Sequence, residues 1–214
     1  MVDYVRSDEE QVERIKEWWD KNGTTLIVTV VLIVGGLIGW RQWQGHQSGQ
    51  AEQASMQYQR VINALEQEAS ASRVEGLAEN LLTDHPRSVY ADYARLMLAR
   101  LAVDADDFDA AAEHLAHVAA NAKAAELVNT ARIRLARVHL QRGDVSAARG
   151  VLDGRFPSAF QPTVLELRGD LARQDGDAHG ARSAYRDAIS AISDNSPGQR
   201  ERIQMKLDDL ESAS

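Results

Sequence analysis

The chain has 214 residues, no cysteine and a formal net charge of −8 at pH 7. The absence of cysteine excludes a disulfide framework and a thiolate metal site. The acidic balance argues against nucleic acid as a partner, because contacts to phosphates need a basic surface.

Residues 24–40 form an uncharged, largely apolar run near the start of an otherwise polar chain. As an α-helix at about 1.5 Å per residue, this run is roughly 25 Å long, enough to cross the core of a lipid bilayer. It predicts a transmembrane helix over residues 24–43, preceded by a tail at 1–23. A short polar linker at 44–50 then leads into a domain at 51–214.

The charges and tryptophans around the run predict its orientation. Four basic residues precede it: Arg6, Arg14, Lys16 and Lys21. After Arg41 no lysine or arginine follows until Arg60. An excess of lysine and arginine marks the cytoplasmic side, and tryptophans gather at both membrane interfaces. All four tryptophans flank the run, at Trp18, Trp19, Trp40 and Trp43. We expect a single-pass protein with its N-terminus in the cytoplasm.

Two alternatives to an anchor are a cleaved signal peptide and a buried helix of a soluble domain. The leader is long for a secretory signal, the apolar core exceeds the usual length, and no clear cleavage motif follows it. A buried helix beside a long polar one is not expected to be apolar on all sides. Both alternatives are therefore weaker than a membrane anchor.

Gly35 and Gly39 have the G-x-x-x-G spacing that lets a second helix approach the backbone closely. The contact would be made with an integral membrane partner or with a second copy of the chain. The alternative is that glycine is simply frequent in spanning helices.

From residue 51 onward alanine and leucine dominate, which favours an all-α domain. Three small residues recur at intervals of 37 and 33 residues: Ala99, Ala136 and Gly169. Twelve residues after these anchors stand Ala111, Ala148 and Ala181, and sixteen after them stand the larger Leu115, Leu152 and Tyr185. The interval is close to the roughly 34 residues of a tetratricopeptide repeat.

Small residues on both helices of a repeat would let the two backbones cross closely, and the larger residue would fill the space toward the next repeat. The helix pairs are predicted at 93–118, 129–153 and 164–190, after a less regular pair at 51–68 and 74–83. A terminal helix over 200–210 is expected to cap the stack. The predicted fold class is all-α, with a single N-terminal transmembrane helix followed by a tetratricopeptide-like helical-repeat solenoid.

Each of the three predicted repeats has a polar turn between its helices, with sequences Asp106-Asp107, Gly143-Asp144 and Gly176-Asp177. Aspartate accepts hydrogen bonds from the free backbone N–H groups at the start of a helix. Asp107, Asp144 and Asp177 are therefore predicted to be helix caps.

No motif predicts catalysis or a cofactor. His114 and His117 lie three residues apart, but Glu113 is the only further metal ligand nearby, so a solvated helix flank is favoured. The acidic run at 104–109 fails the calcium-loop pattern, which requires glycine at the sixth position and glutamate at the twelfth. We therefore expect neither a metal site nor an enzyme.

A small-ligand regulator would need a convergent polar pocket. The candidates for such a pocket are four arginines: Arg95, Arg132, Arg134 and Arg137. Solvated helix faces or ion pairs with nearby acids are the favoured alternative for these side chains.

Several segments, taken together and in order, resemble the YfgM family, an ancillary subunit of the bacterial SecYEG protein-export channel. They are residues 8–13 with Trp18 and Trp19, the end of the span at 36–41, and the stretches 135–138, 180–185 and 204–207. The resemblance covers nearly the whole chain. It implies an inner-membrane protein of Gram-negative bacteria with a periplasmic tetratricopeptide-like domain.

The resemblance also implies partners. These are the SecYEG channel, the membrane-anchored periplasmic chaperone PpiD, and exported client polypeptides passed to periplasmic chaperones. It supplies no catalytic residue and no cofactor. Without the resemblance, a membrane-tethered scaffold for envelope assembly or cell division would fit the same architecture.

Overall fold

The computed structural model describes residues 4–193 and 196–212, and the side chains of residues 11–42, 49–193 and 196–212. This part of the chain is helical and contains no strand, which confirms the all-α class. Its α-helices are α1 (Tyr4–Glu66), α2 (Ala71–Asp84), α3 (Val89–Asp104), α4 (Phe108–Asn121), α5 (Ala125–Gln141), α6 (Val145–Leu152), α7 (Gln161–Gln174), α8 (Ala178–Ala191) and α9 (Pro197–Ser212).

The chain divides into two compact units, Met1–Gln53 and Ala54–Ser214. In the first unit, the stretch Gln11–Gln42 of α1 is long and apolar enough to cross a membrane, and no other helix in the described residues is. Thr29, within this stretch, donates its hydroxyl to the carbonyl oxygen of Thr25 at 2.8 Å. The hydroxyl is thereby satisfied inside its own helix, as a lipid environment requires.

The predicted linker is helical. Residues 44–50 lie inside α1, while the side chains of 43–48, including Trp43, lie outside the described ones. No proline interrupts the segment and its glutamines support helix formation, so the helix continues through it although Gly45 and Gly49 disfavour a helix. The domain limits at 1–23, 24–43, 44–50 and 51–214 stay predictions.

The second unit is a stack of helices. Each helix from α2 to α9 packs against the next one in sequence, and α3, α5 and α7 also lie side by side. Four clusters of buried apolar side chains follow one another along the stack. Contacts that run mainly between neighbouring elements are characteristic of a solenoid. The tetratricopeptide-like arrangement is therefore confirmed.

The predicted helix pairs are present, but α3, α5 and α7 each begin about one turn earlier than the periodicity indicated. The first turns carry few buried residues, so the apolar pattern does not mark them. Helix α3 begins after Ser88, whose hydroxyl accepts a hydrogen bond from the backbone N–H of Ala91 at 3.1 Å. Helix α7 has Pro162 in its first turn, where the N–H group that proline lacks would make no hydrogen bond within the helix.

The three predicted caps are confirmed. Asp107, Asp144 and Asp177 accept from the backbone N–H groups of Ala110, Ala147 and Gly180 at 3.0, 3.1 and 2.8 Å. Each cap therefore satisfies one of the free donors at the start of its helix.

The residue before each cap has a left-handed backbone. The φ angles are 58° at Asp106, 76° at Gly143 and 80° at Gly176. In each turn the N–H of the capping aspartate also reaches back five residues to a carbonyl oxygen of the preceding helix, at 2.8 to 2.9 Å. This is the hydrogen bond of a Schellman motif. One turn geometry thus joins the helices of three successive repeats, and Asp106 adopts it without glycine's freedom.

The nine predicted packing residues are buried. Ala99, Ala111 and Leu115 share one cluster, Ala136, Ala148 and Leu152 share another, and Ala181 and Tyr185 share a third. The ninth, Gly169, lies directly under the ring of Tyr185, and a methyl group there would overlap the ring carbons. The ring is held in place because its hydroxyl donates to Asp170 Oδ1 at 2.7 Å. The packing role of the nine residues stays a prediction, which the following substitution tests.

We expect Gly169→Ala to lower the free energy of unfolding by about 1–3 kcal/mol, because the new methyl group overpacks a fixed ring. Adding Tyr185→Leu recreates the alanine–leucine combination of the two preceding repeats. The double variant is therefore expected to lose less free energy of unfolding than the two single variants lose in sum. Chemical denaturation measures all three variants.

Gly76→Ala is the matched control, since Gly76 lies within α2 with nothing within 4 Å of an added Cβ. There the change should raise stability by up to about 1 kcal/mol, through helix propensity alone. Strictly additive effects at Gly169 and Tyr185 would contradict close packing of the two residues.

Candidate protein-binding groove

A polar groove runs along the side of the stack on which α3, α5 and α7 lie together. Its first part has a volume of about 720 Å³ and is formed by α3, α4 and α5. Its second part, about 640 Å³, is formed by α5, α7 and α9. The two parts share Arg137 and Gln141, so they adjoin on α5. We call the two parts together the central groove.

The first part of the central groove has an apolar floor. Its lining includes Leu96, Val103, Phe108 and Leu115, which belong to or pack on the cluster that holds α3 to α5 together. Arg100, Arg134 and Arg137 stand over this floor. The groove therefore offers apolar contact area beside positive charge.

The second part contains an ion network around a buried carboxylate. The Glu166 side chain is only 4% exposed. Arg202 donates to both of its carboxylate oxygens, at 3.0 and 2.7 Å, and Lys206 Nζ lies 2.9 Å from Oε1. Lys206 also contacts both carboxylate oxygens of Asp170 at 2.7 Å. The network joins α9 to α7 and neutralises the acids at this end of the groove.

The network shifts the pKa values of its members. Burial raises the pKa of Glu166, but hydrogen bonds from Arg202 and Lys206 and the charges of both outweigh burial and hold it below the usual value. Burial and the hydrogen bond to Asp170 raise the pKa of Tyr185. Glu166 is therefore ionised and Tyr185 neutral at ordinary pH, so neither group is poised for proton transfer.

The four arginines that were candidates for a ligand pocket do not come together in one. Arg132 donates to the carbonyl oxygens of Val151 and Arg155 at 3.0 Å each, and its guanidinium carbon lies 3.9 Å from the centre of the Phe156 ring. It therefore fixes the loop after α6. Arg95 lies near Asp92 and Glu113, and it lines neither part of the central groove. Only Arg134 and Arg137 come together, on the exposed face of α5.

Arg134 and Arg137 have no acidic partner among the residues that the structure describes. Burial lowers the pKa of Arg134, and the positive charges of Arg137 and Arg100 lower it further. The guanidinium group of Arg134 is thus close enough to those of Arg137 and Arg100 to feel their positive charge.

Sequence reasoning missed the charged wall made by Glu166, Arg202 and Lys206. A signal for it exists in the repeat: Glu166 precedes its anchor by three residues, where the two earlier repeats have Leu96 and Ile133. A carboxylate at a buried apolar position requires a charged or hydrogen-bonding partner. The sequence does not say which of the many basic residues supplies that partner.

The acidic run and the two histidines that were rejected as metal ligands have other contacts or positions in the fold. In the run at 104–109, Asp104 pairs with Arg100, Asp107 caps α4 and Asp109 lies 2.8 Å from Arg142. His114 and His117 lie on α4, and no group of three or more potential ligands that could hold a metal is found in the described residues.

The predicted membrane contact lies open. Gly35 and Gly39 are on the exposed surface of α1, and a Cβ added to either would meet nothing within 4 Å. Their use as a contact stays a prediction.

Because His114 is half-buried, we expect the free energy of unfolding to fall in mild acid. Burial, followed by the nearby charge of Arg95, lowers the pKa of His114. The unfolded chain then takes up a proton below its pKa of about 6.5 while the folded chain does not, so stability falls as pH decreases through this value. We expect His114→Gln to reduce this loss, measured as the denaturation midpoint between about pH 7.5 and 5.

The exposed His179 supplies the control for this titration. His179→Gln should leave the pH dependence of the midpoint as it is in the parent chain. An equal effect of both substitutions would contradict the assignment to His114.

The similarity to known proteins covers both the apolar helix and the repeat domain. A family described as a tetratricopeptide repeat-like domain matches residues 16–212. The "Ancillary SecYEG translocon subunit" of Escherichia coli (strain K12) is 34% identical over 209 residues, covering 98% of this chain and 99% of the relative. The protein of the same name from Haemophilus influenzae is 31% identical over 207 residues, covering 97% and 99%.

A third protein of that name, from Neisseria gonorrhoeae, is 28% identical over 203 residues, covering 95% of this chain and 97% of the relative. No solved structure matches the chain. The matches confirm the family resemblance seen in the sequence. The chain therefore belongs to the YfgM family of tetratricopeptide repeat-like proteins, whose named members are ancillary SecYEG translocon subunits.

Proposed function

We propose that the protein is a non-enzymatic ancillary subunit of the SecYEG translocon. It links the channel to periplasmic chaperones such as PpiD and helps pass exported polypeptides to them. The observation that carries the proposal is the similarity over nearly the full length, apolar helix included, to proteins of that name. A shared repeat domain alone would support only the fold.

In this proposal the apolar part of α1 is an inner-membrane anchor. The lysine and arginine excess before it supports an N-terminus in the cytoplasm and a repeat domain in the periplasm. Anchoring raises the effective concentration of the repeat domain near the channel exit. Contacts of modest affinity then suffice to hold a client that must later be released.

The central groove is the proposed contact surface for a polypeptide. It crosses three successive repeats and combines an apolar floor with charged walls. In the described residues no histidine lines it, and the carboxylates of Glu166 and Asp170 are held by Arg202 and Lys206. These features suit binding rather than chemistry.

Photocrosslinking in cells tests the partners. A photoreactive amino acid replaces Gln141, which lines both parts of the central groove, in the full-length protein. We expect adducts with channel subunits, PpiD or exported chains, identified by mass spectrometry. The same group at the exposed Ser146, which lines neither part, is the control and should give few of these adducts. Adducts with division or cell-wall proteins would instead support the envelope scaffold.

The proposed helix contact in the membrane has a separate test. Leucine at both Gly35 and Gly39 would block close approach of another helix. We expect co-purification with the channel to fall several-fold while thermal unfolding of the repeat domain stays unchanged. Gly36→Leu is the control, since it lies about 100° around the helix from Gly35. Unchanged co-purification of the double variant would exclude a contact with the channel through these two glycines.

A further inference from the structure

The three aligned repeats differ in how they neutralise the charge on the central groove. The residue after the anchor is Arg100 in the first repeat, Arg137 in the second and Asp170 in the third. Four positions later these repeats have Asp104, Gln141 and Gln174, in that order. In the first repeat Asp104 neutralises Arg100, with both carboxylate oxygens within 2.9 Å of Nε. In the second repeat a neutral amide stands where that carboxylate would be. Arg137 therefore keeps the same place on its helix but loses its counter-charge.

Arg134 adds a second uncompensated charge on the same face. It lies three residues before Arg137 on α5, a spacing that makes two side chains neighbours on a helix. Both side chains are exposed, and both line the first part of the groove. The free protein thus holds two adjacent guanidinium groups that repel each other and face an open cavity.

The acids of the groove leave these charges uncompensated. Asp104 is taken by Arg100, Glu166 by Arg202 and Lys206, and Asp170 by Lys206. Asp106 lines the groove at the end of α3 and is not in an ion pair with either arginine. The lining therefore has an excess of positive charge, although the whole chain has a net charge of −8.

The chemistry of the site selects carboxylates. A guanidinium group binds a carboxylate through two parallel hydrogen bonds. On a helix, the Cβ atoms of residues three apart lie about 5–6 Å from each other. Alternate side chains of an extended chain leave the same face roughly 7 Å apart, so two of them can reach the two guanidinium groups. The apolar floor at Leu96, Val103 and Phe108 favours an apolar residue beside them over a small free anion.

We propose that Arg134 and Arg137 bind two carboxylate side chains of an extended polypeptide segment that also places an apolar side chain on the groove floor. This inference rests on the proposed function, since it names the kind of segment that the ancillary subunit binds. The partner is thus recognised by acidic and apolar residues together.

The test uses the full-length protein in detergent and a fluorescent synthetic peptide with two aspartates and a leucine in a serine–glycine background. We expect fluorescence anisotropy to show saturable binding at about 50 mM salt, weakening as screening increases toward about 500 mM. A peptide with asparagine in place of both aspartates should bind about tenfold more weakly, since charge-assisted hydrogen bonds are lost. Equal binding of the two peptides, or no binding of either, would overturn the proposal.

Two variants locate the site. Arg134→Gln with Arg137→Gln should weaken binding of the acidic peptide at least about tenfold. Gln141→Asp keeps both arginines but supplies Arg137 with the partner that Arg100 has, so it should also weaken binding. The matched control is Arg60→Gln with Arg87→Gln, which removes the same charge from exposed residues outside the groove and should leave binding unchanged. An equal loss in the control would show non-specific attraction and overturn the proposal.

The peptide-binding and crosslinking experiments distinguish the carboxylate site from the ancillary role. If the arginine variant binds the acidic peptide normally but Gln141 still crosslinks to channel subunits or PpiD, the carboxylate site is wrong and the ancillary role stands. If the peptide binds as expected while the crosslinks go to division proteins, the carboxylate site stands and the partner assignment is wrong.

Discussion

Close packing of paired helices at small residues is the constraint on which the repeat domain depends. At each anchor the first helix carries a buried alanine or glycine, and sixteen residues later the second helix carries a buried leucine or tyrosine. Protein interiors are packed to near-crystalline density, so the sizes at these positions are coupled. Gly169 shows this coupling, because the third repeat has tyrosine where the others have leucine.

The groove is a consequence of that packing. When each pair stacks on the next, α3, α5 and α7 come to lie side by side and their outward faces become one surface. Residues that recur once per repeat are far apart in the sequence but then lie beside one another in a row across this surface. Arg100, Arg137 and Asp170 are such a row. Arg100 and Asp170 have charged partners, whereas Arg137, in the middle of the groove, has none in the described residues.

An open stack also needs a cover at its end. Helix α9 provides it with two kinds of contact: Ile203 and Leu207 enter the last apolar cluster, while Arg202 and Lys206 hold Glu166. A buried carboxylate that loses its partner is strongly unfavourable. The same helix therefore closes the core and forms a wall of the groove, so the shape of the binding surface is tied to the stability of the last repeat.

The sequence by itself determined the elements whose causes are local or periodic. The apolar run at 24–40, the anchors Ala99, Ala136 and Gly169, and the capping aspartates were all identifiable from spacing, because hydrophobicity, side-chain size and cap chemistry act over one or two helical turns. The starts of α3, α5 and α7 were each placed about one turn late, because the first turn of each helix carries only one buried residue.

Only the tertiary structure decided which charges meet. Four arginines looked equivalent in the sequence, yet Arg132 braces a loop, Arg95 lies outside the groove, and Arg134 and Arg137 remain together without partners in the described residues. The partners of Glu166 come from a helix 36 and 40 residues away. Charge pairing depends on distances across helices rather than on spacing along one, and those distances are fixed only when the stack has formed.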